Sequence, residues 1–246
     1  MKERLDKFIA SQTALSRKEV QRAVKEKRVM LNGAAVRAAD IKIDTDRDSV
    51  SLDGSELTYK KHVYYLMNKP SGVVSATEDK SEKTVLDILP PELMRPGLFP
   101  AGRLDKDTTG LLIITDDGEY AHRMLSPKKH VVKRYFAALD KVPGDDVIDG
   151  FAGGIVLADG TVCKSGRAEL PGGRLAAVEI SEGKYHQVKR MFAALGYHVE
   201  ALERVAIGAL ELPADLPRGG VRELTVEEAN KVFADISQDI RIGPCI

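Results

Sequence analysis

Apolar positions at the amino-terminal end of the chain recur at helical spacing. Leu5, Phe8 and Ile9 mark one face of a first helix, and Ser16-Arg17-Lys18-Glu19 forms a capping box that opens a second, with Val20, Ala23 and Val24 turned inward. The apolar runs then shorten. Val29-Met30-Leu31 and Ala34-Ala35-Val36 flank Asn32-Gly33, a pair suited to the positive φ of a two-residue turn, so a β-hairpin is predicted. Helix, helix and hairpin make a small module of their own.

Strand signals dominate the rest. Residues 63–68 read as a strand ended by Pro70-Ser71-Gly72, and Val73-Val74-Ser75 begins another. Residues 84–89 suggest a short helix stopped by Pro90-Pro91. The run Leu111-Leu112-Ile113-Ile114 is a buried strand bounded by the turn signal Asp116-Asp117-Gly118. Residues 133–139 form a further strand, and the glycine-rich stretch 150–173 reads as short strands and turns around Ile155-Val156-Leu157 and Arg167-Ala168-Glu169-Leu170. Beyond a strand at 175–181, a helix follows with Val188, Phe192 and Leu195 inward and Gly196 as its stop. Strands at 197–205 and 209–212 precede a last helix, capped by Thr225 and reaching about Ile236. The fold class expected is α+β, with a domain over 1–60 and a second over 61–246.

Charge changes this picture more than composition does. A chain of 246 residues, 43% hydrophobic and 30% charged, is neither disordered nor fibrous. Its charged start and its lack of a long apolar run predict neither signal peptide nor membrane anchor. Cys163 and Cys245 lie far apart without His or Cys at ligand spacing, which argues against a disulfide framework or a zinc site and fits a reducing cytoplasm. Net charge is zero, yet residues 1–37 hold ten Lys or Arg against four acids, a net +6. Arg17, Lys18, Arg22, Lys25 and Arg28 belong to this stretch, and three of them, Lys18, Arg22 and Lys25, share the outer face of the second helix. A solvated face normally interleaves acids, so a polyanionic partner is indicated. Acids prevail over 40–56, with six against Lys42 and Arg47. A second basic stretch over 121–139 has no acid and carries Lys128, Lys129 and Lys133.

The candidate chemistry centres on 101–118, AGRLDKDTTGLLIITDDG. A polar loop with Arg103, Asp105 and Asp107 leads straight into the buried strand, which fixes its backbone while the charged heads stay accessible. On spacing alone the same residues fit a solvated acidic turn. Tyr135 beside Lys133 and Arg134 could stack on a base or serve as a core aromatic. Lys189 lies on the first turns of its helix, where lysines are ordinarily solvated, and His186 just before it is ordinarily structural.

Taken together, YYLMNKPSGVVS, GRLDKDTTGLLIITDDG and EGKYHQVKRMF, in that order, resemble the RsuA-type family of RNA pseudouridine synthases. Ahead of them, RLDKFIA and SRKEVQRAVKEKRVMLNG resemble the S4-type RNA-binding domain. The resemblance spans nearly the whole chain. It implies a small S4-like domain followed by a catalytic domain with a mixed, largely antiparallel sheet, and isomerisation without metal or cofactor. It also implies an essential aspartate at Asp105, with Tyr135 stacked on the uracil and Lys189 paired with Asp105 to hold it in its charged form. Arg103 would fill the gap left by a flipped uridine. Relatives often carry a small hydroxyl residue where this chain has Arg134. Similarity within the family points to the small-subunit (16S) enzyme acting on a uridine of the position-516 type, working as a cytoplasmic monomer on ribosomal RNA or a pre-ribosomal small subunit, with no membrane partner. The alternatives are a 23S enzyme of the same family, a non-catalytic RNA-binding assembly factor, and a hydrolase using Asp105 and Asp107 as a carboxylate pair. The joint presence of Asp105, Tyr135 and Lys189 favours an enzyme over a binding protein.

Overall fold

The structure, a computed structural model, describes residues 2–235. The chain divides into two compact units, one of residues 1–63 with 89–98 and the other of 64–88 with 99–246.

In the first unit the elements run β1 (Lys2–Arg4), α1 (Leu5–Gln12), α2 (Arg17–Lys25), β2 (Val29–Leu31), β3 (Ala34–Ala35), β4 (Lys42–Asp44), β5 (Val50–Leu52) and β6 (Ser55–Leu57). The capping box at Ser16 is complete: the Ser16 hydroxyl accepts from the Glu19 amide while the Glu19 carboxylate accepts from the Ser16 amide. Asn32 and Gly33 both have positive φ, 51° and 79°, which closes the β2–β3 hairpin. Leu5, Phe8, Ile9, Val20, Ala23 and Val29 form the core of this unit. Buried with them is Asp6, whose carboxylate accepts from Arg4 at 3.0 Å and from Arg17 at 2.8 Å. These hydrogen bonds, Arg4 first, outweigh the cost of burial and hold its carboxyl down at about 2.

The second unit contains β7 (Tyr64–Lys69), β8 (Phe99–Ala101), β9 (Thr109–Thr115), α3 (Gly118–Leu125), β10 (Lys133–Leu139), α4 (Asp145–Gly153), β11 (Arg167–Gly172), β12 (Leu175–Ile180), α5 (Gln187–Ala194), β13 (Val199–Ile207), β14 (Leu210–Glu211), β15 (Val221–Glu223) and α6 (Val226–Asn230). A nine-stranded sheet runs in the order β11-β12-β10-β13-β9-β7-β15, with β14 added to β13 and β8 to β9. Every pairing is antiparallel except β9 with β13. The expected mixed, largely antiparallel α+β architecture is therefore observed. Leu111, Leu112, Ile113 and Ile114 of β9 are completely buried. At the β9–β13 crossing Gly110 has φ 100°, and a Cβ there would lie 2.2 Å from the Arg204 carbonyl oxygen, so the close parallel approach requires glycine.

Several local expectations give way. Residues 84–89 are not a helix: the Thr84 amide donates to Asp87 and the Asp87 amide to the Thr84 hydroxyl, closing turns over 85–88. Val74 forms a single bridge with Thr84 and no strand, and Val156 likewise bridges Val162. Asp117 does not merely end β9. Its side chain accepts from the Tyr120 amide and starts α3, which buries Tyr120, Ala121 and Met124. Another unanticipated helix, α4, runs into the glycine-rich segment, where only short strands and turns were expected, and is anchored by Val147 and Phe151. The carboxy-terminal helix is capped at Thr225 as expected but ends at Asn230, followed by a 3-10 turn to Phe233, and Ile236 lies outside the described residues. No helix among the described residues is long and apolar enough to cross a membrane.

Candidate active site

The loop between β8 and β9 presents Asp105 into a cleft of about 500 Å³, lined also by Arg103, Tyr135, Lys184, Tyr185 and His186. That volume is within the range of small-molecule sites and can admit a nucleoside. Two side chains and a backbone amide fix the loop. Ser75 Oγ donates to the Leu104 carbonyl at 2.9 Å and accepts from the Leu104 amide at 3.0 Å. The Gly72 amide donates to the Lys106 carbonyl at 2.9 Å. Lys69, at the end of β7, is completely buried, and its ammonium reaches the carbonyl oxygens of Thr108 (2.9 Å), Asp105 (3.0 Å), Pro70 (3.1 Å) and Lys106 (3.2 Å). Burial pushes this ammonium down to about 8, opposed by the charges of Asp107 and Asp105. The carboxylate of Asp105 is thus carried on a backbone clamped by an internal cation.

Two basic side chains from the start of the α5 region meet that carboxylate. His186 Nε2 lies 3.4 Å from one oxygen and Lys189 Nζ 3.8 Å from the other. The shorter contact of Lys189 is with Asp107, at 2.5 Å, and this hydrogen bond holds the Asp107 carboxyl below the usual range. Asp107 is exposed, whereas only 26% of the Asp105 side chain is. Tyr135 reaches the cleft from β10, opposite Val178 of β12, and is 9% exposed. Among the described residues no group of three or more His, Cys, Asp or Glu could hold a metal ion.

Residues 63–194 match the family model described as RNA pseudouridylate synthase, and residues 3–45 match the S4 domain. The chain belongs to the RNA pseudouridine synthase family. It is 43% identical over 231 residues to the ribosomal small subunit pseudouridine synthase A of Escherichia coli K12, covering 93% of this chain and 99% of that one. It is 44% identical over 229 residues to an uncharacterized RNA pseudouridine synthase of Bacillus subtilis, covering 92% and 96%. A crystal structure of a pseudouridylate synthase superposes with TM-score 0.66 at 37% identity, covering 93% of this chain and 99% of that one. The enzyme is an isomerase with an S4 domain at its amino-terminal end.

Within this synthase the candidate RNA contacts differ in availability. Arg103 is exposed at the cleft, and Lys18, Lys25, Lys128 and Lys129 are exposed; none of the five makes an ion pair among the described residues. Arg17 is tied to Asp6, Arg22 to Glu26, and Arg28 to both Asp53 and Glu26. Asp6 and Glu26 are already counted in the net +6 of residues 1–37, and Asp53 offsets one further charge. Lys133 departs from expectation more fully: it is 9% exposed, and burial pushes its ammonium down to about 8, so it offers no surface contact to phosphate. Arg134 points away from the neighbouring Tyr135, as strand alternation demands, and pairs with Glu179 across β10 and β12 at 2.6 Å. Arg134 is therefore half of a cross-strand ion pair. Sequence reasoning passed over Lys69, although it sits within the quoted YYLMNKPSGVVS motif, and rated His186 as structural.

Proposed function

We propose that this enzyme converts a specific uridine of small-subunit (16S) ribosomal RNA, of the position-516 type, to pseudouridine, with Asp105 as the catalytic carboxylate. The observation that carries the reading is the placement of Asp105: half-buried, facing a nucleoside-sized cleft shared with Tyr135, and approached by His186 and Lys189. The small-subunit relative at 43% identity over nearly the full length supports the choice of RNA.

The reaction breaks the bond from ribose C1′ to uracil N1, turns the base, and joins C1′ to C5; the C5 proton leaves and N1 gains one, so composition is unchanged. The target uridine leaves its stack to reach the cleft, and Arg103 at the opening takes the vacated place. Tyr135 stacks on the uracil. A carboxylate beside C1′ is suited to stabilising positive charge there, to attacking it, or to moving the proton, and each use depends on its ionised form. Lys189 spans Asp105 and Asp107, offsetting the repulsion of two carboxylates on one loop. The enzyme acts as a monomer in the cytoplasm.

The test is release of tritium from small-subunit rRNA transcripts labelled at uridine C5. Asp105→Asn should lose roughly a hundredfold or more of turnover, the scale set by loss of an acid–base or nucleophilic group, while RNA affinity stays near wild type. Asp107→Asn should lose far less. Turnover above about a tenth of wild type in Asp105→Asn is inconsistent with losing such a group, and equal losses in both variants would favour a carboxylate pair.

A further inference from the structure

The turn that delivers α5 holds an exposed ring in a fixed place. Tyr185 is 77% exposed, the highest value among the exposed large hydrophobic side chains, yet its ring lies parallel to the His186 imidazole with centroids 3.9 Å apart and 19° between planes. The backbone beneath it is rigid. His186 adopts φ 46°, ψ 36°, a left-handed conformation that a non-glycine residue keeps only where its surroundings enforce it. Those surroundings are hydrogen bonds: the Lys184 amide donates to Gln187 Oε1 at 2.8 Å, the Gln187 amide to the Lys184 carbonyl at 3.1 Å, and Arg190 Nη1 to the Tyr185 carbonyl at 3.3 Å. Tyr185 and His186 line the same cleft as Asp105 and Tyr135. One face of the Tyr185 ring is covered by imidazole, and its high exposure leaves the other open.

We infer that Tyr185 is a nucleotide subsite: its open face stacks on the unpaired base adjacent to the uridine being converted. This rests on the function proposed above. A flat, pre-positioned aromatic surface beside a site that receives an extruded nucleotide suits a base, because every base has a π-face and the ring loses little freedom on binding. Electrostatic attraction is not what the subsite offers, since the neighbouring cations are already neutralised, Lys184 by Glu182 and Arg190 by Asp159. The imidazole on which Tyr185 stacks is the one whose Nε2 lies 3.4 Å from Asp105.

The experiment uses the full-length enzyme and synthetic RNA hairpins from the small-subunit rRNA region containing the converted uridine, intact or abasic at either neighbour. Base–aromatic stacking is worth about 1–3 kcal/mol, so Tyr185→Ala should lower kcat/KM by roughly 5- to 150-fold, mostly through KM, with Tyr185→Trp restoring it. An abasic neighbour on one side should produce a similar loss in wild type and little further loss in Tyr185→Ala. The slope of log KM against log salt should be the same in wild type and Tyr185→Ala, because no phosphate contact is removed. An unchanged KM in Tyr185→Ala, or losses that multiply with those of both abasic substrates, overturns the subsite. A second arm needs no turnover: a uridine oligonucleotide carrying one 2-aminopurine should be quenched on binding wild type and not on binding Tyr185→Ala. If wild type converts no rRNA substrate, the proposed function fails, and the quenching result alone still decides the subsite.

Discussion

Replacing Lys69 with Met keeps the length of the side chain and removes its donors, which isolates what the buried ammonium does for the loop that carries Asp105. Of its four carbonyl partners, two keep another hydrogen bond: Asp105 O accepts from the Thr108 amide at 3.1 Å, and Lys106 O from the Gly72 amide at 2.9 Å. The loss therefore falls mainly on the carbonyls of Pro70 and Thr108. A buried acceptor left unsatisfied costs about 1–3 kcal/mol, so two predict a destabilisation of roughly 2–6 kcal/mol. For a chain of this size each kcal/mol lowers Tm by about 2–4 °C, and Lys69→Met should melt at least about 4 °C below wild type. The loop should loosen at the same time, so turnover in the tritium-release assay, measured well below the melting transition, should fall while RNA affinity holds. The burial of Lys69 adds a signature in pH. Its folded value of about 8 lies below its ordinary value of 10.5, so between these limits the unfolded chain binds a proton that the folded chain has released, and stability from this group rises with pH. Lys69→Met should remove that increment. A variant with wild-type Tm, unchanged turnover and an unchanged alkaline profile would refute the clamp.

Lys189→Met should impair kcat more than RNA binding, because its partners are Asp105 and Asp107; a variant that mainly binds weakly would place Lys189 on phosphate instead. Asp6 is held at about 2 against an ordinary 3.8, so its stabilisation is complete above about pH 4 and is lost as pH falls through 2. Asp6→Asn should accordingly be less stable than wild type in denaturant at pH 6, with the gap closing between pH 4 and 2; a gap that persists at pH 2 contradicts the ion-pair account. Lys18→Gln with Lys25→Gln should flatten the slope of log K against log salt by about 0.7–0.9 for each phosphate interaction removed, without altering stability. An unchanged slope would mark that helix face as merely solvated.

Legibility followed how local the cause was. The capping box at Ser16, the Asn32-Gly33 turn and the four-residue apolar run of β9 are each specified by neighbouring residues, and each was readable. Asp116-Asp117-Gly118 was ambiguous because an aspartate serves a turn and a helix cap by the same hydrogen bond, and only the burial of Tyr120 and Met124 distinguishes them. The α4 helix buries just Val147 and Phe151 and ends among glycines, so its period is faint. Residues of the cleft came into view as separate motifs, but their distances did not. That Lys189 bonds Asp107 more closely than Asp105, and that His186 reaches Asp105 at all, depends on how α5 approaches a loop some eighty residues earlier in the chain. Lys69 and Lys133 were hidden by the general rule that lysines are exposed, which fails when carbonyls or a packed sheet enclose the ammonium.

The order of strands has a consequence for the birth of the enzyme on the ribosome. Asp105 belongs to the half of the sheet built on β9, β7 and β15, Tyr135 to the half built on β11, β12 and β10, and β13 is the strand to which both halves are hydrogen-bonded. A nascent chain that has not yet released β13 holds every residue assigned to chemistry, yet lacks the strand that is hydrogen-bonded to both halves. The cleft closes only when a late segment inserts between two strands made long before it, a non-local and therefore slow event. The two halves of the cleft are therefore joined only after β13 has left the ribosome, later than every residue assigned to chemistry.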